Sequence, residues 1–451
     1  MRFSNRVRPN SIARRNGFVL RRRNTETLTA LSQSAKRLSQ TGILLKGLFP
    51  NIGASTDTSC GPKGAVAGRI EFAVAPVVLS SHEGKRMPFT LAAAGDIIML
   101  SAVSGKDAAI YASVAKADLA TANLEMVVTD SEAATDKFIN LRLSPRYMDD
   151  VTSLGFKAMC VANNHSLDYG VDGLYDTLEF TRQAGIIPVG AGKNVAESVR
   201  AEVTESNGRK IAMLGASATL PNSSAAGEHS PGIAPIRVIN RYRIDTVTID
   251  ESPGMSPFVE TEAVAPDVER LCAAVRACAG EADHVVVHLH WGVPLGWVVQ
   301  TQDEIADYQR PLAHALIDAG ANLIIGHHPH YVQGVEFYKD TPILYSLGNF
   351  LKHKLSVTDD KQHVHPPYKM SSLRGYWNKI GALAQIEWNA PGQRPVCKFE
   401  IVQLDDNGEP HRATRETGQA MLDNMKEQCA GWGTSATLEE GPDGQVCISF
   451  N

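Results

Sequence analysis

The chain has 451 residues, room for one large domain or two modest ones. Hydrophobic residues make up 43% and charged residues 21%, which excludes a wholly disordered, collagenous or coiled-coil chain. No apolar run reaches the roughly eighteen residues of a membrane-spanning helix. The formal charge is −5, but residues 1–46 hold eleven Lys or Arg and a single acid, Glu26, so the remainder carries 33 basic and 48 acidic residues, a net of −15. An acidic body repels nucleic-acid backbones, so no nucleic-acid partner is expected. Seven scattered cysteines form no CxxC pair, which argues against a zinc knuckle, a thioredoxin-like site or a disulfide scaffold.

Residues 1–85 lack sustained periodicity and read as a basic, disordered tail and linker, with a stray strand near 70–79. The alternative is a targeting segment or a weak anchor for anionic lipid. The best apolar core for a secretory signal, Gly42–Leu45, is cut short by Lys46. The expected compartment is therefore the cytoplasm, with peripheral membrane association through the basic head as the alternative.

From Phe89 the character changes. FTLAAAG reads as a buried strand closed by Gly95-Asp96. A helix over 107–117 and a strand over 118–123 follow. Ser144-Pro145 reads as a helix cap with Pro in the first turn. Residues 157–163 predict a strand, 170–185 an amphipathic helix ending at Gly185, and 209–217 a strand. Residues 218–262, rich in Pro, Ser and Gly, predict a long loop or small insertion. Next come a helix over 266–280, the strand HVVVHLH (284–290), a helix over 303–320 kinked at Pro311, and strands over 321–326 and 341–349. This alternation predicts an α/β sheet with helices on its faces. KIGALAQIEW and PVCKFEIVQL read as an antiparallel pair. The expected organisation is the tail (1–85), a core domain (86–355), and a C-terminal segment (356–451) that completes or flanks the same domain.

Metal-capable residues recur where predicted strands end. Asp96 closes the first, Glu125 follows the second, and Asn164 and His165 follow the third. His288 and His290 end the fifth, and His327, His328 and His330 follow the sixth. In an open α/β sheet the carboxyl ends of the strands form one crevice, where ligands bind. The His-x-His pair at 288–290 puts both rings on one face of its strand by period-two geometry. In GHHPH, Gly326 and Pro329 pre-shape a loop holding three imidazoles. Mixed oxygen and imidazole donors suit one or two divalent ions such as Mn, Fe, Zn or Co, and a shared carboxylate is the usual bridge between two. Trp291 and Trp297 either line a cleft or pack a loop. Arg142 and Arg146 either clamp an anion or lie solvated.

These residues resemble the CapA family, named for poly-γ-glutamate capsule synthesis and similar in turn to the calcineurin-like metallophosphatases. The segments carrying the resemblance are AGDIIML, ANLEMVVT, VANNHSLDYG, VVVHLHWG, IIGHHPHYVQG and TPILYSLGNF, within roughly residues 89–351. The resemblance implies a four-layer αββα metallophosphatase-like sandwich. It implies Asp96, Glu125, Asn164, His290, His328 and His330 as metal ligands, with Glu125 as the bridging carboxylate. His165 is implied as the catalytic acid or phosphate-orienting group. His288, His327 and Asn349 are further candidates. Two residues beyond Asp96, where ordinary metallophosphatases carry histidine, this chain has Ile98, and Val293-Pro294 stands where relatives often have Glu. The expected function is a metal-dependent hydrolase or transferase acting on a phosphorylated or γ-glutamyl substrate, with a metal-activated water as nucleophile. The alternatives are a component of poly-γ-glutamate synthesis or export, partnered by capsule-synthesis machinery, and a catalytically silent polymer-binding module.

Overall fold

The alternation of apolar side chains in the central strands resolves into two stacked sheets. The computed structural model describes residues 87–451 except 104–107, 138, 255–256, 293–303, 356–375, 391 and 442. The basic tail, the strand expected near 70–79, Val293-Pro294 and Trp297 lie outside the described residues.

The first sheet runs Ala436–Glu440, Val446–Phe450, Val396–Leu404, Ile380–Trp388, Phe89–Ile98, Leu119–Leu124, Ala158–Cys160 and Ile187–Val189. The short strands Asn349–Lys352 and Pro410–Arg412 join it beside Phe89–Ile98 and Val396–Leu404. The second sheet runs Val335–Tyr338, Thr341–Leu344, Leu323–His327, His284–His290, Arg209–Ser217 and Glu202–Ser206. Phe89–Ile98, Leu119–Leu124 and Ala158–Cys160 are mutually parallel. So are Arg209–Ser217, His284–His290 and Leu323–His327. Each sheet thus gathers several carboxyl ends at one edge.

Leu91, Ala93 and Leu119 pack between the sheets against Met213, Val286 and Ile325. Their neighbours Ala92 and Ala94 face outward onto Ile110, Val114, Leu174 and Leu178 of the helices Ala108–Ala115 and Gly170–Gln183. On the other side, Val285, Val287 and Leu289 pack on Leu271 and Val275 of Ala265–Ala279 and on Leu312 and Leu316 of Gln309–Asp318. Period-two strands meeting period-3.6 helices on both outer faces make four layers, αββα.

Several local expectations change. Ser144 makes no side-chain cap; its hydroxyl donates to Asp130 Oδ1 at 2.6 Å, and Pro145 opens a single 3₁₀ turn before Met148–Ser153. The strand expected over 157–163 covers only Ala158–Cys160, and the residues after it form turns. Within 218–262, Val238–Arg243 pairs antiparallel with Phe258–Ala263. The helix expected over 303–320 is Gln309–Asp318, so Pro311 sits in its first turn, where a missing N–H costs no helical bond and causes no kink. The segment 341–349 divides: Thr341–Leu344 belongs to the second sheet, while Asn349 opens a strand of the first. That crossing binds the sheets together at the carboxyl edge.

His284 carries a stability prediction. Its ring is stacked on Phe89 at 5.4 Å and lies 4.2 Å from the Trp388 ring, and neither ring nitrogen has a hydrogen-bond partner. Burial, helped by Arg209, pulls its pKa down to about 4, below the roughly 6.5 of the unfolded chain. Protons therefore bind the unfolded state preferentially, and stability falls as pH drops from about 6.5 toward 4. His284→Phe should be more stable than wild type by about 1 kcal/mol at pH 5, discounting for partial solvent screening, and the gap should shrink by pH 8. Urea titration at both values checks this.

Candidate metal centre

Asp96 enters the centre through an irregularity in its strand. The register of Phe89–Ile98 shifts next to Asp96 on both its parallel neighbours. Gly95 permits this: a Cβ there would lie 2.0 Å from the Gly348 carbonyl oxygen, which accepts the Asp96 N–H at 2.9 Å. Gly326 plays a similar part below GHHPH, where a Cβ would lie 1.9 Å from the Tyr345 carbonyl oxygen. Beyond it, His328 and His330 both take positive φ, 99° and 53°. Such backbone is uncommon for non-glycine residues and marks a loop shaped by its surroundings.

Asp96, Glu125, His290 and His327 are fully buried; His165, His328 and His330 are nearly so. Two groups of donors converge: Glu125, His290 and His328, and Asp96, Glu125 and His330. Within each, the donor atoms all lie within 4.8 Å of one another. Glu125 belongs to both. Its Oε1 lies 3.8 Å from His290 Nε2 and 3.6 Å from His330 Nε2. Asn164 joins the first group, its Oδ1 2.7 Å from His290 Nε2. Asp96 Oδ2 lies 3.2 Å from His330 Nδ1, and its Oδ1 lies 3.3 Å from His327 Nδ1. Asn349 Oδ1 meets His330 Nδ1 at 2.9 Å. The crevice thus brings together Asp96, Glu125, Asn164, His290, His327, His328, His330 and Asn349, whereas His288 reaches it only through His327.

The residues fit a divalent cation. Glu125 Oε1 and His328 Nδ1 are buried without a hydrogen-bond partner, and orphaned acceptors of this kind are normally satisfied. Burial and the negative charge of Asp96 push the Glu125 carboxyl well above its ordinary range. Burial opposes ionisation of Asp96 as well, but His327 and His330 outweigh it and hold that carboxyl well below its usual value. Burial pulls His290 and His330 down and takes His328 to about 3. Neutral imidazoles beside carboxylates are the protonation state a cation requires.

Residues that sequence reasoning did not select frame these donors. Asn123 Nδ2 donates to Asp96 Oδ1 at 2.9 Å, and Asn163 Nδ2 donates to Asn123 Oδ1 at 3.1 Å and to the Leu124 carbonyl at 2.8 Å. His165 Nδ1 lies 2.6 Å from Asp168 Oδ2, which also accepts the Leu141 N–H at 2.7 Å. Lys137 pairs with the other oxygen of Asp168 and reaches the Asn164 carbonyl at 2.6 Å. The signal for Asp168 was its spacing: three residues after His165, within one turn. His288 faces inward as the period-two argument requires, with Nε2 2.9 Å from Thr121 Oγ1 and Nδ1 2.9 Å from His327 Nε2.

Among the described candidates, Trp291, Arg142 and Arg146 make their contacts away from the donors. Trp291 is fully buried and donates to the Tyr345 carbonyl at 2.8 Å. Arg142 donates to the Ser131 carbonyl and lies over Tyr169, while exposed Arg146 reaches the Tyr147 hydroxyl.

Four layers, with carboxylates and imidazoles meeting at the strand ends, define an αββα sandwich with a candidate metal centre. Residues 90–354 match the sequence model of the family described as bacterial capsule synthesis protein PGA_cap, and the chain belongs to that family. It is of the CapA type, a family of poly-γ-glutamate capsule-synthesis accessory proteins. The capsule biosynthesis protein CapA of Bacillus anthracis is 30% identical over 292 residues, 65% of this chain and 61% of that protein. The PGA biosynthesis protein CapA of Bacillus subtilis is 32% identical over 238 residues, 52% of this chain and 53% of its own length. An uncharacterized protein, y4uA, of Sinorhizobium fredii is 25% identical over 428 residues, covering 78% of this chain and 92% of that one. Among solved structures, a putative 5'-nucleotidase from Staphylococcus aureus aligns with a TM-score of 0.34 at 12% identity, over 72% of this chain and 53% of that one. Among the described residues no helix is long and apolar enough to cross a membrane.

Proposed function

We propose that the protein is a metal-dependent hydrolase or transferase acting on a phosphorylated or γ-glutamyl substrate. The observation that carries this reading is Glu125: a buried carboxylate without a hydrogen-bond partner on Oε1, common to both converging groups. Glu125, Asn164, His290 and His328 would hold a cation on one side, and Asp96, Glu125 and His330 on the other. A bound divalent cation lowers the pKa of water toward neutrality and offsets charge on phosphoryl or carbonyl oxygens.

The chain's own residues supply positioning and proton transfer. Asp168, locked by the Leu141 N–H and Lys137, accepts from His165 Nδ1 and fixes its tautomer. That leaves Nε2 of His165 to serve the leaving group. Asn123 orients Asp96, and Asn163 orients Asn123. Buried walls around the histidines exclude bulk water and strengthen each of these contacts.

Family membership favours a second reading, a role for the same site in making or exporting poly-γ-glutamate. Both are tested on purified full-length protein by elemental analysis and by turnover of a generic phosphodiester and of poly-γ-glutamate. Wild type is expected to carry a transition metal, and His328→Ala to bind it about 100-fold more weakly with a parallel loss of turnover. Absence of metal together with unchanged turnover in the variant would refute the hydrolase. Cleavage or transfer confined to the γ-linked polymer would select the capsule role.

A further inference from the structure

His288 and His327 belong to neither converging group of donors, yet both rings are fully buried beside them. They stand on the adjacent parallel strands His284–His290 and Leu323–His327. Their centroids are 5.3 Å apart and their planes differ by 7°. His288 Nδ1 lies 2.9 Å from His327 Nε2, so the rings lie side by side as an in-plane hydrogen bond requires. The other nitrogen of His288, Nε2, lies 2.9 Å from Oγ1 of buried Thr121. The other nitrogen of His327, Nδ1, is buried without a hydrogen-bond partner, 3.3 Å from Asp96 Oδ1. A line of polar atoms thus leaves the first sheet at Thr121, passes through the second at His288 and His327, and returns to the first at Asp96.

One proton lies between the two rings, and its position orders the whole line. In one order Thr121 Oγ1 donates to His288 Nε2, His288 Nδ1 donates to His327 Nε2, and His327 Nδ1 keeps its proton toward Asp96 Oδ1. In the other order each bond reverses, and a lone pair on His327 Nδ1 faces a carboxylate oxygen in a dry interior, where the repulsion is strong. A second proton on His327 would relieve that repulsion but set a positive charge beside a site that must receive a cation. The first order gives every donor on the line an acceptor. It also divides the work of Asp96. Oδ1 faces His327 and accepts from Asn123 Nδ2 at 2.9 Å, while Oδ2 lies 3.2 Å from His330 Nδ1 and accepts the His328 N–H at 3.3 Å.

We propose that Thr121, His288 and His327 form a tautomer-ordered relay that positions Asp96, with the ring proton of each histidine on Nδ1. His327 and Asn123 hold Oδ1, and Oδ2 is presented to the cation beside His330. His288 and His327 are positioning residues rather than ligands, and His288 acts on Asp96 only through His327. This rests on the metal-centre reading above and adds to it the residues that orient one of its carboxylates.

The tautomers are read directly from two-bond ¹H–¹⁵N correlation spectra of chelator-stripped full-length protein labelled with ¹⁵N-histidine, at neutral pH. The two rings are assigned from the signals lost in His288→Asn and His327→Gln. Both are expected to carry their proton on Nδ1, and a proton on Nε2 of either ring would overturn the proposal. The second readout is Co²⁺ affinity by equilibrium dialysis, with circular dichroism as the folding control. An asparagine amide places an N–H where His288 Nδ1 stands, so His288→Asn is expected to bind within about threefold of wild type, whereas His288→Leu should bind about 10- to 100-fold more weakly. Wild-type affinity in His288→Leu, or equal weakening in both variants, would overturn the relay and leave the metal-centre reading standing. No Co²⁺ binding by wild type would remove both. Should His288→Leu fail to fold, the wild-type tautomers remain decisive.

Discussion

Glu125→Gln is expected to lower affinity for a divalent cation by at least about 100-fold and to abolish metal-dependent turnover, with the fold intact. The substitution preserves volume, and Glu125 makes no close polar contact that needs its charge: the nearest, from Asn123 Nδ2, is 3.4 Å away. What it removes is the anionic oxygen common to both donor groups, and a neutral amide is a far weaker ligand for a hard or borderline cation. The pH behaviour gives the sharper signature. In metal-free protein the Glu125 carboxyl is raised above its unfolded value by burial and by Asp96. Its stabilising contribution is therefore full below the unfolded pKa and is lost as pH rises through the folded one. Metal-free wild type should thus lose stability on going from pH 5 to 8, and metal should restore it. Metal-free Glu125→Gln should lack that loss and be more stable at pH 8 by about 2 kcal/mol. Denaturant titrations with and without Mn²⁺ check both claims. A variant that retains metal, or metal-free proteins with identical pH profiles, would contradict the assignment of Glu125.

His165→Ala is expected to keep its metal and lose turnover by about 10²–10⁴-fold on substrates with alkyl leaving groups. With a nitrophenolate leaving group, which departs without a proton, the loss should be less than about tenfold. This difference separates a proton donor from a residue that only fills space. Burial lowers the His165 pKa although Asp168 opposes it, so the protonated form belongs to pH values below the ordinary histidine range. Rates on the alkyl substrate should accordingly show an acid-favouring component that His165→Ala lacks. Asp168→Asn should shift that component and also destabilise the fold by about 1–3 kcal/mol, because it removes the negative charge that Lys137 and His165 share. Equal losses on both leaving groups would show that His165 does not donate the proton.

Much of the centre was legible because its members share one structural position. Asp96, Glu125, Asn164, His290, His328 and His330 each end or follow a strand, and parallel strands deliver their carboxyl ends to one rim. Asn123, Lys137 and Asp168 were not legible as a set. Asn123 lies inside a strand, Lys137 in an irregular segment and Asp168 in a turn. Their roles exist only through contacts between separate segments, such as Asn123 with Asp96 and Lys137 with Asp168, 27 and 31 residues apart. The GHHPH run shows the same limit inside five residues. Composition marks it as ligand-rich, but only the loop's left-handed turns at His328 and His330 separate the donors facing the centre from His327, whose Nε2 is held by His288.

The sequence by itself determined the alternation of strands and helices, the inward face of each strand, and which residue types reach the rim. These follow from periodicity and from turn residues that act within a few positions. Tertiary structure alone decided that Thr341–Leu344 and Asn349–Lys352 belong to different sheets and that Glu125 is common to both donor groups. Those outcomes depend on how two sheets stack, which has no local signature along the chain.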